Sequence, residues 1–120
     1  MRTVLVVDDE CEMRDFISEA LSDCYSLVTV GNGHEALDQL STQKFDLIVT
    51  DLMMPEMDGI ELLMTLRRSD PSQKLIAMSG GGVSKHFDIL RAAEKLGSCP
   101  ILRKPFGLAE LRKVVQDTLA

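Results

Sequence analysis

The chain has no apolar run near the roughly 18 residues that a membrane-spanning helix needs, so membrane insertion is not expected. It also has no excess of basic residues: 13 Lys and Arg stand against 19 Asp and Glu, a formal net charge of −6. A protein that neutralises phosphates along a duplex should be basic, so direct nucleic-acid binding is not expected. Cysteine is sparse and scattered, at Cys11, Cys24 and Cys99, with no CxxC and no histidine at metal-ligand spacing. That excludes a disulfide framework or thiolate metal site, and the odd count points to a reducing, cytoplasmic compartment. Each thiol reads as a small buried hydrophobe. Val4–Val7 is too short an apolar stretch for a signal peptide and runs directly into acids. Repeats, linkers and low-complexity tracts are also lacking. What remains is ordinary globular usage, 45% hydrophobic and 27% charged over 120 residues. The expectation is a single domain spanning 1–120 with no output domain attached.

Short apolar runs alternate with amphipathic stretches. Val4-Leu5-Val6-Val7 predicts a strand buried on both faces. Met13, Phe16, Ile17, Ala20 and Leu21 then line one helical face. Tyr25–Val30 predicts a second strand, Gly31-Asn32-Gly33 a turn, and Ala36, Leu37 and Leu40 a second helix. Phe45–Thr50 predicts a third strand ending at Asp51. A loop punctuated by Pro55 and Gly59 leads to a helix carrying Ile60, Leu63 and Leu66, stopped at Asp70-Pro71. Lys74–Ser79 predicts strand four, broken by Gly80-Gly81-Gly82. A fourth helix carries Phe87, Leu90 and Ala93. Ile101–Arg103 is a short fifth strand, and Leu108, Leu111, Val115 and Leu119 mark a fifth helix. Five strands alternating with five helices imply an α/β fold, a doubly wound, flavodoxin-like parallel sheet in order 2-1-3-4-5 with helices on both faces.

In such sheets ligands bind beyond the carboxyl ends of the strands. Asp8 and Asp9 follow strand one, Asp51 ends strand three, Ser79 ends strand four and Lys104 follows strand five. Three close carboxylates cannot all remain ionised without compensation. A hard divalent cation such as Mg²⁺ supplies it while leaving room for phosphate oxygens. That composition suits phosphoryl transfer, with central Asp51 as a carboxylate nucleophile. Lys104, the one cation in this cluster, and Ser79 would hold phosphoryl oxygens. Taken singly, each residue has a plainer role. Asp8 or Asp9 could cap a helix, Asp51 could be a loop acid, Ser79 a turn residue and Lys104 a solvated lysine beside a cis-prone Pro105. Their joint placement, each at the end of a different strand, favours the chemical reading.

With those positions assembled, the sequence resembles a two-component response regulator receiver domain along its whole length. The resemblance rests on Asp8-Asp9-Glu10, the stretch Gly31–Leu37, the block Phe45–Gly59, Met78-Ser79-Gly80 and Lys104-Pro105-Phe106. It implies that Asp51 accepts a phosphoryl group from a phosphohistidine on a sensor histidine kinase or a histidine phosphotransfer protein. It also implies Mg²⁺ (or Mn²⁺) held by Asp9, Asp51 and the backbone carbonyl of Met53, with Asp8 acting through a water. Lys104 would pair with Asp51 before transfer and with the phosphoryl group after it, and Ser79 would move toward that group. The switched surface would then engage a downstream protein target.

Two positions depart from the common pattern. Ile101 stands where an aromatic usually swings inward, and Gly81 lies two residues past Ser79. Isoleucine is stiff at χ1 and has no ring to swing. The expected switch therefore passes through Ser79, Gly80, Gly81 and the start of the fourth helix, Val83 to Phe87. Met53, Met54 and Met57 read as loop packing beside the site, and His34 and His86 as solvated helix residues. Arg67-Arg68 would meet a helix C-terminal dipole. A Mg²⁺-dependent phosphohydrolase with an aspartyl nucleophile usually carries a second acid two residues later for proton transfer. Here that position is Met53. A scaffold without chemistry would be credible only if Asp9, Asp51 or Lys104 were missing.

Overall fold

The computed structural model describes residues 1–52, 59–80 and 99–120. Five strands, β1 (Thr3–Val7), β2 (Ser26–Val30), β3 (Leu47–Asp51), β4 (Lys74–Ser79) and β5 (Ile101–Arg103), form one sheet in the order β2-β1-β3-β4-β5. All four pairings are parallel. Among the described residues four helices connect or follow them: α1 (Cys11–Leu21), α2 (Gly33–Thr42), α3 (Gly59–Ser69) and α4 (Leu108–Leu119). The helix expected around Phe87–Ala93 lies outside the described residues, as do Met53, Met54, Met57, Gly81, His86 and the segment Val83–Phe87. No helix among the described residues is long and apolar enough to cross a membrane.

The period of two along each strand divides the core into two layers. Leu5, Val7, Ile48, Leu75 and Ala77 point to one side, where Ala36 of α2 and Leu62, Leu63 and Leu66 of α3 cover them. Val4, Val6, Leu47, Val49, Ile76 and Met78 point to the other, under Ile17, Ala20 and Leu21 of α1 and Leu111, Val115 and Leu119 of α4. Val4–Val7 is wholly buried, which is why that run is continuously apolar rather than alternating.

Several sequence expectations shift at their edges. Tyr25 precedes β2 because its N–H donates to Leu21 O and closes α1. Phe45 and Asp46 precede β3. Phe45 is buried under α2 and α3, while Asp46 takes the Thr3 N–H on its Oδ2 at 2.8 Å and so fastens the start of β1. Gly31-Asn32-Gly33 is more than a turn. Asn32 is the N-cap of α2, its Oδ1 accepting from Glu35 N at 2.9 Å, while Glu35 Oε1 accepts from Gly31 N at 2.7 Å. Arg67 uses its guanidinium on the carbonyls of Pro71 and Gln73, beyond the end of α3. Leu108 is exposed rather than part of the core; Phe106, just before α4, fills the layer instead and stacks at a tilt on Phe16. Cys11 and Cys24 are exposed, since Cys11 opens α1 and Cys24 lies in the turn after it; only Cys99 is half-buried.

The two leucines make a paired test. Leu47→Ala removes a wholly buried side chain from the central β3 and should cost about 2–5 kcal/mol. Leu108→Ala should stay within about 0.5 kcal/mol of the parent. Urea unfolding curves compare them directly, and equal midpoints would contradict this layering.

Candidate functional site

The parallel register brings the carboxyl ends of β1, β3, β4 and β5 to one edge. Val7 lies opposite Thr50, Asp51 opposite Met78, and Ser79 opposite Arg103. Backbone bonds carry the ladder one residue further, from Asp8 N to Val30 O, Leu52 N to Met78 O and Lys104 N to Ser79 O. The side chains that emerge there are Asp8, Asp9, Asp51, Ser79 and Lys104.

Lys104 is the hub. Its Nζ lies 2.8 Å from Asp51 Oδ2, 2.9 Å from Asp8 Oδ2 and 3.3 Å from Glu10 Oε1. The lysine side chain is only 12% exposed. Burial alone would depress its pKa, but the hydrogen bonds to Asp51 and Asp8 outweigh it and hold the ammonium above the ordinary lysine value. Asp8 has no exposed surface. Its Oδ1 accepts from Glu10 N at 2.9 Å, and its backbone carbonyl accepts from Arg14 Nη1 at 2.7 Å. Burial pushes the Asp8 carboxyl up, and the nearby Asp51 charge adds to this, against the opposing pull of the Glu10 amide and Lys104.

Neither Asp8 nor Asp9 caps α1; its N-cap is Glu10, whose side chain makes no cap bond. Ligand oxygens of Asp8, Asp9 and Asp51 lie within 4.8 Å of one another. An all-oxygen, carboxylate-only set with two buried members and one exposed fits a hard divalent cation, whose charge would compensate the acids. Ser79 is fully buried, and its hydroxyl makes a long 3.4 Å contact to Gly80 O. A side chain on Gly80 would meet nothing within 4 Å. Ile101 is half-buried against the α2–α3 layer. Lys104-Pro105 is cis.

Two participants escaped the sequence reading. Glu10 joins Lys104, and Arg14 is a second cation at the rim, so Lys104 does not stand alone. The signal for Glu10 was its place directly after the acid pair. The signal for Arg14 was its position in the first turn of α1, where side chains lean back toward the helix N-terminus and hence toward the strand end.

Residues 4–116 match the family model described as a response regulator receiver domain. The chain belongs to that family. A curated relative, sporulation initiation phosphotransferase F of Bacillus subtilis, is 31% identical over 97% of this chain and 92% of its own length. The response regulator receiver protein CpdR of Brucella abortus is 32% identical over 99% of this chain and 98% of its own. Among solved structures, chemotaxis protein CheY4 of Vibrio cholerae superposes with a TM-score of 0.87 at 30% identity, covering 99% of each chain. This receiver domain therefore has a phosphoacceptor role in two-component signal transduction.

The raised Asp8 carboxyl has a stability consequence. An acid that protonates more readily when folded opposes folding once ionised. The cost is present at neutral pH and is relieved as pH falls through the raised folded value toward the ordinary carboxylate value. Asp8→Asn should therefore raise the metal-free melting temperature at neutral pH by about 2–6 °C. Asn keeps an acceptor for Glu10 N, and Lys104 keeps Asp51. The same variant should lose part of the stabilisation that added Mg²⁺ confers on the parent, and Asp9→Ala should lose more of it, since a direct ligand outweighs a water-mediated one. Melting curves with and without Mg²⁺ would contradict the electrostatic account if Asp8→Asn were destabilising in both.

Proposed function

We propose that Asp51 is the phosphoacceptor and that Lys104 and Ser79 serve the transferred group. The observation that carries this is the Lys104 ammonium, 2.8 Å from Asp51 Oδ2 and shared with buried Asp8 beside a carboxylate triad. The donor is a phosphohistidine of a sensor histidine kinase or a histidine phosphotransfer protein. An Asp51 carboxylate oxygen attacks phosphorus while the phosphorus–nitrogen bond to the imidazole breaks. The electron pair leaves on that nitrogen, which regains a proton from solvent, and the product is an acyl phosphate on Asp51. Mg²⁺ would be held by Asp9, Asp51 and the backbone carbonyl of Met53, with Asp8 acting through a water. When bound, it would supply charge neutralisation for the phosphoryl oxygens.

Lys104 donates to Asp51 before transfer and to a phosphoryl oxygen afterwards. Ser79, whose present hydroxyl contact is long, is free in geometry to turn toward that oxygen. The change passes through Gly80 and Gly81 rather than through Ile101, which is packed against a core layer and stiff. The domain thus promotes its own phosphorylation and, with Met53 where a phosphohydrolase would place a second acid, hydrolyses the product only slowly. The cytoplasm is its setting, and a downstream protein reads the switched surface.

Labelling with a phosphorylated kinase or with phosphoramidate, followed by peptide mapping, tests the assignment. Asp51→Asn should reduce base-labile labelling to background, and Lys104→Ala should slow it by about tenfold or more, since one preorganised donor is lost. Undiminished labelling of Asp51→Asn at another residue would overturn the assignment.

A further inference from the structure

Every polar atom of Asp8 is engaged. Its amide donates to Val30 O at 3.2 Å, its carboxylate accepts from the Glu10 amide and Lys104, and its carbonyl accepts from Arg14 Nη1 at 2.7 Å. Asp9 is the opposite. It is exposed, and among the described residues no hydrogen bond or ion pair holds its carboxylate. Yet its ligand oxygen lies within 4.8 Å of those of Asp8 and Asp51. Its placement therefore comes from the backbone that leads into it. The Asp8–Asp9 peptide is planar, so the direction of the Asp8 carbonyl sets the direction of the bond into Asp9. The Arg14 guanidinium holds that carbonyl, and Arg14 is itself fixed. Its amide donates to Glu10 O at 3.1 Å in the first turn of α1. Its Nη1 also borders the loop after β2, where a side-chain carbon on Gly31 would lie 3.5 Å from it and 3.4 Å from Glu35 Oε1, the acceptor of Gly31 N. The guanidinium thus spans the loops that follow β1 and β2.

We propose that Arg14 is a positioning residue for the metal: its guanidinium fixes the Asp8–Asp9 peptide and so aims the Asp9 carboxylate at the site shared with Asp8 and Asp51. This rests on the reading of Asp9 and Asp51 as Mg²⁺ ligands given above. Arg14 does not touch the metal, and its charge and its geometry act in opposite directions. As a charge, a guanidinium beside three carboxylates repels an incoming cation and weakens its binding. As a clamp, it preorganises a ligand whose side chain has no other support, and outer groups of this kind are worth about 10–100-fold in metal affinity. The clamp dominates, because the repulsion is screened at an open edge while the 2.7 Å bond is part-buried.

Calorimetric titration of the metal-free protein with Mg²⁺ tests the sign. Arg14→Met keeps an unbranched side chain of similar length and removes both the charge and the donors. Its Mg²⁺ dissociation constant should rise about tenfold, whereas loss of charge alone would lower it. Arg14→Lys keeps the charge but not the planar fork, so the clamp predicts a partial loss of affinity where charge alone predicts none. Before any metal is added, the Asp9 amide ¹⁵N resonance should shift in Arg14→Met, because the carbonyl bonded to that nitrogen loses its donor. Arg112→Met is the control. It removes a guanidinium from another backbone carbonyl, Ala20 O at 3.0 Å, at the far end of α1, and should leave Mg²⁺ binding unchanged. Parental or tighter Mg²⁺ binding in Arg14→Met overturns the proposal; if that variant does not fold, parental affinity in Arg14→Lys overturns it. So does equal weakening in Arg112→Met, which would reveal a general loosening of α1. Failure of the underlying reading looks different: the parent would show no saturable Mg²⁺ binding, or Asp9→Ala would bind as tightly as the parent.

Discussion

A single buried ammonium ties the carboxyl edge of the sheet together. Lys104 emerges after β5, yet its charge is satisfied by Asp8 after β1 and Asp51 at the end of β3. Two acids at this depth, with a third close by, would repel and would pay for desolvation twice over. The lysine offsets part of that cost, and the charges then hold each other in place. The compensation is incomplete, as the raised Asp8 carboxyl shows. Among the described residues two cations, Lys104 and Arg14 at the rim, stand against Asp8, Asp9, Asp51 and Glu10, so the acids outnumber them. A site of this kind is poised for added positive charge and for a group that brings its own oxygens.

Holding those charges within hydrogen-bond reach requires a platform that does not yield. The central strands supply it. Val4–Val7 and Leu47–Val49 are fully buried between two helical layers, and close packing on both faces leaves the strand ends no freedom to drift. Because the strands are parallel, every carboxyl end points the same way, and the register sets Asp51 beside Met78 and Ser79 beside Arg103. The opposite edge is closed by a different kind of contact. There Asp46 takes the Thr3 amide, Gln73 donates to Phe45 O, and the Arg2 guanidinium donates to Leu119 O. These side chains satisfy backbone groups and fasten the ends of the strands.

The sheet was legible because its signals were local and redundant. Four apolar runs with abrupt changes of period, each ending in an acid, a hydroxyl or a turn, leave little choice of topology. The converging site followed from topology alone, since a parallel sheet carries Asp8, Asp51, Ser79 and Lys104 to one edge wherever the helices lie. What stayed hidden depended on side-chain direction. Leu108 has the right spacing for the buried face of α4, but it stands at the first turn, where the helix has not yet reached the sheet, and Phe106 takes the space. Cys11 and Cys24 have the chemistry of core residues and lie outside only because α1 begins and ends beside them. Arg14 looks like any charged residue on a surface helix until its guanidinium is seen on the Asp8 carbonyl.

The same geometry favours the proposed switch over a passive scaffold. A domain that only displayed a surface could place apolar residues at the strand ends and gain stability, since replacing a buried ion pair by well-packed hydrophobes is often neutral or stabilising. Here Asp8 is fully buried at a net electrostatic cost, and Lys104 is held between acids rather than released to solvent. The cost has a local purpose only if something enters to relieve it. Three carboxylates with ligand oxygens within 4.8 Å fit a cation, and the ammonium beside them is a donor suited to anionic oxygens. Ser79 stands at the end of the neighbouring strand with its hydroxyl weakly engaged, next to a glycine whose surroundings leave open space. Charge is stored at an edge made rigid by the core, with Ser79 and Gly80 directly beside it, and the proposed coupling of phosphorylation to a change of surface rests on that juxtaposition.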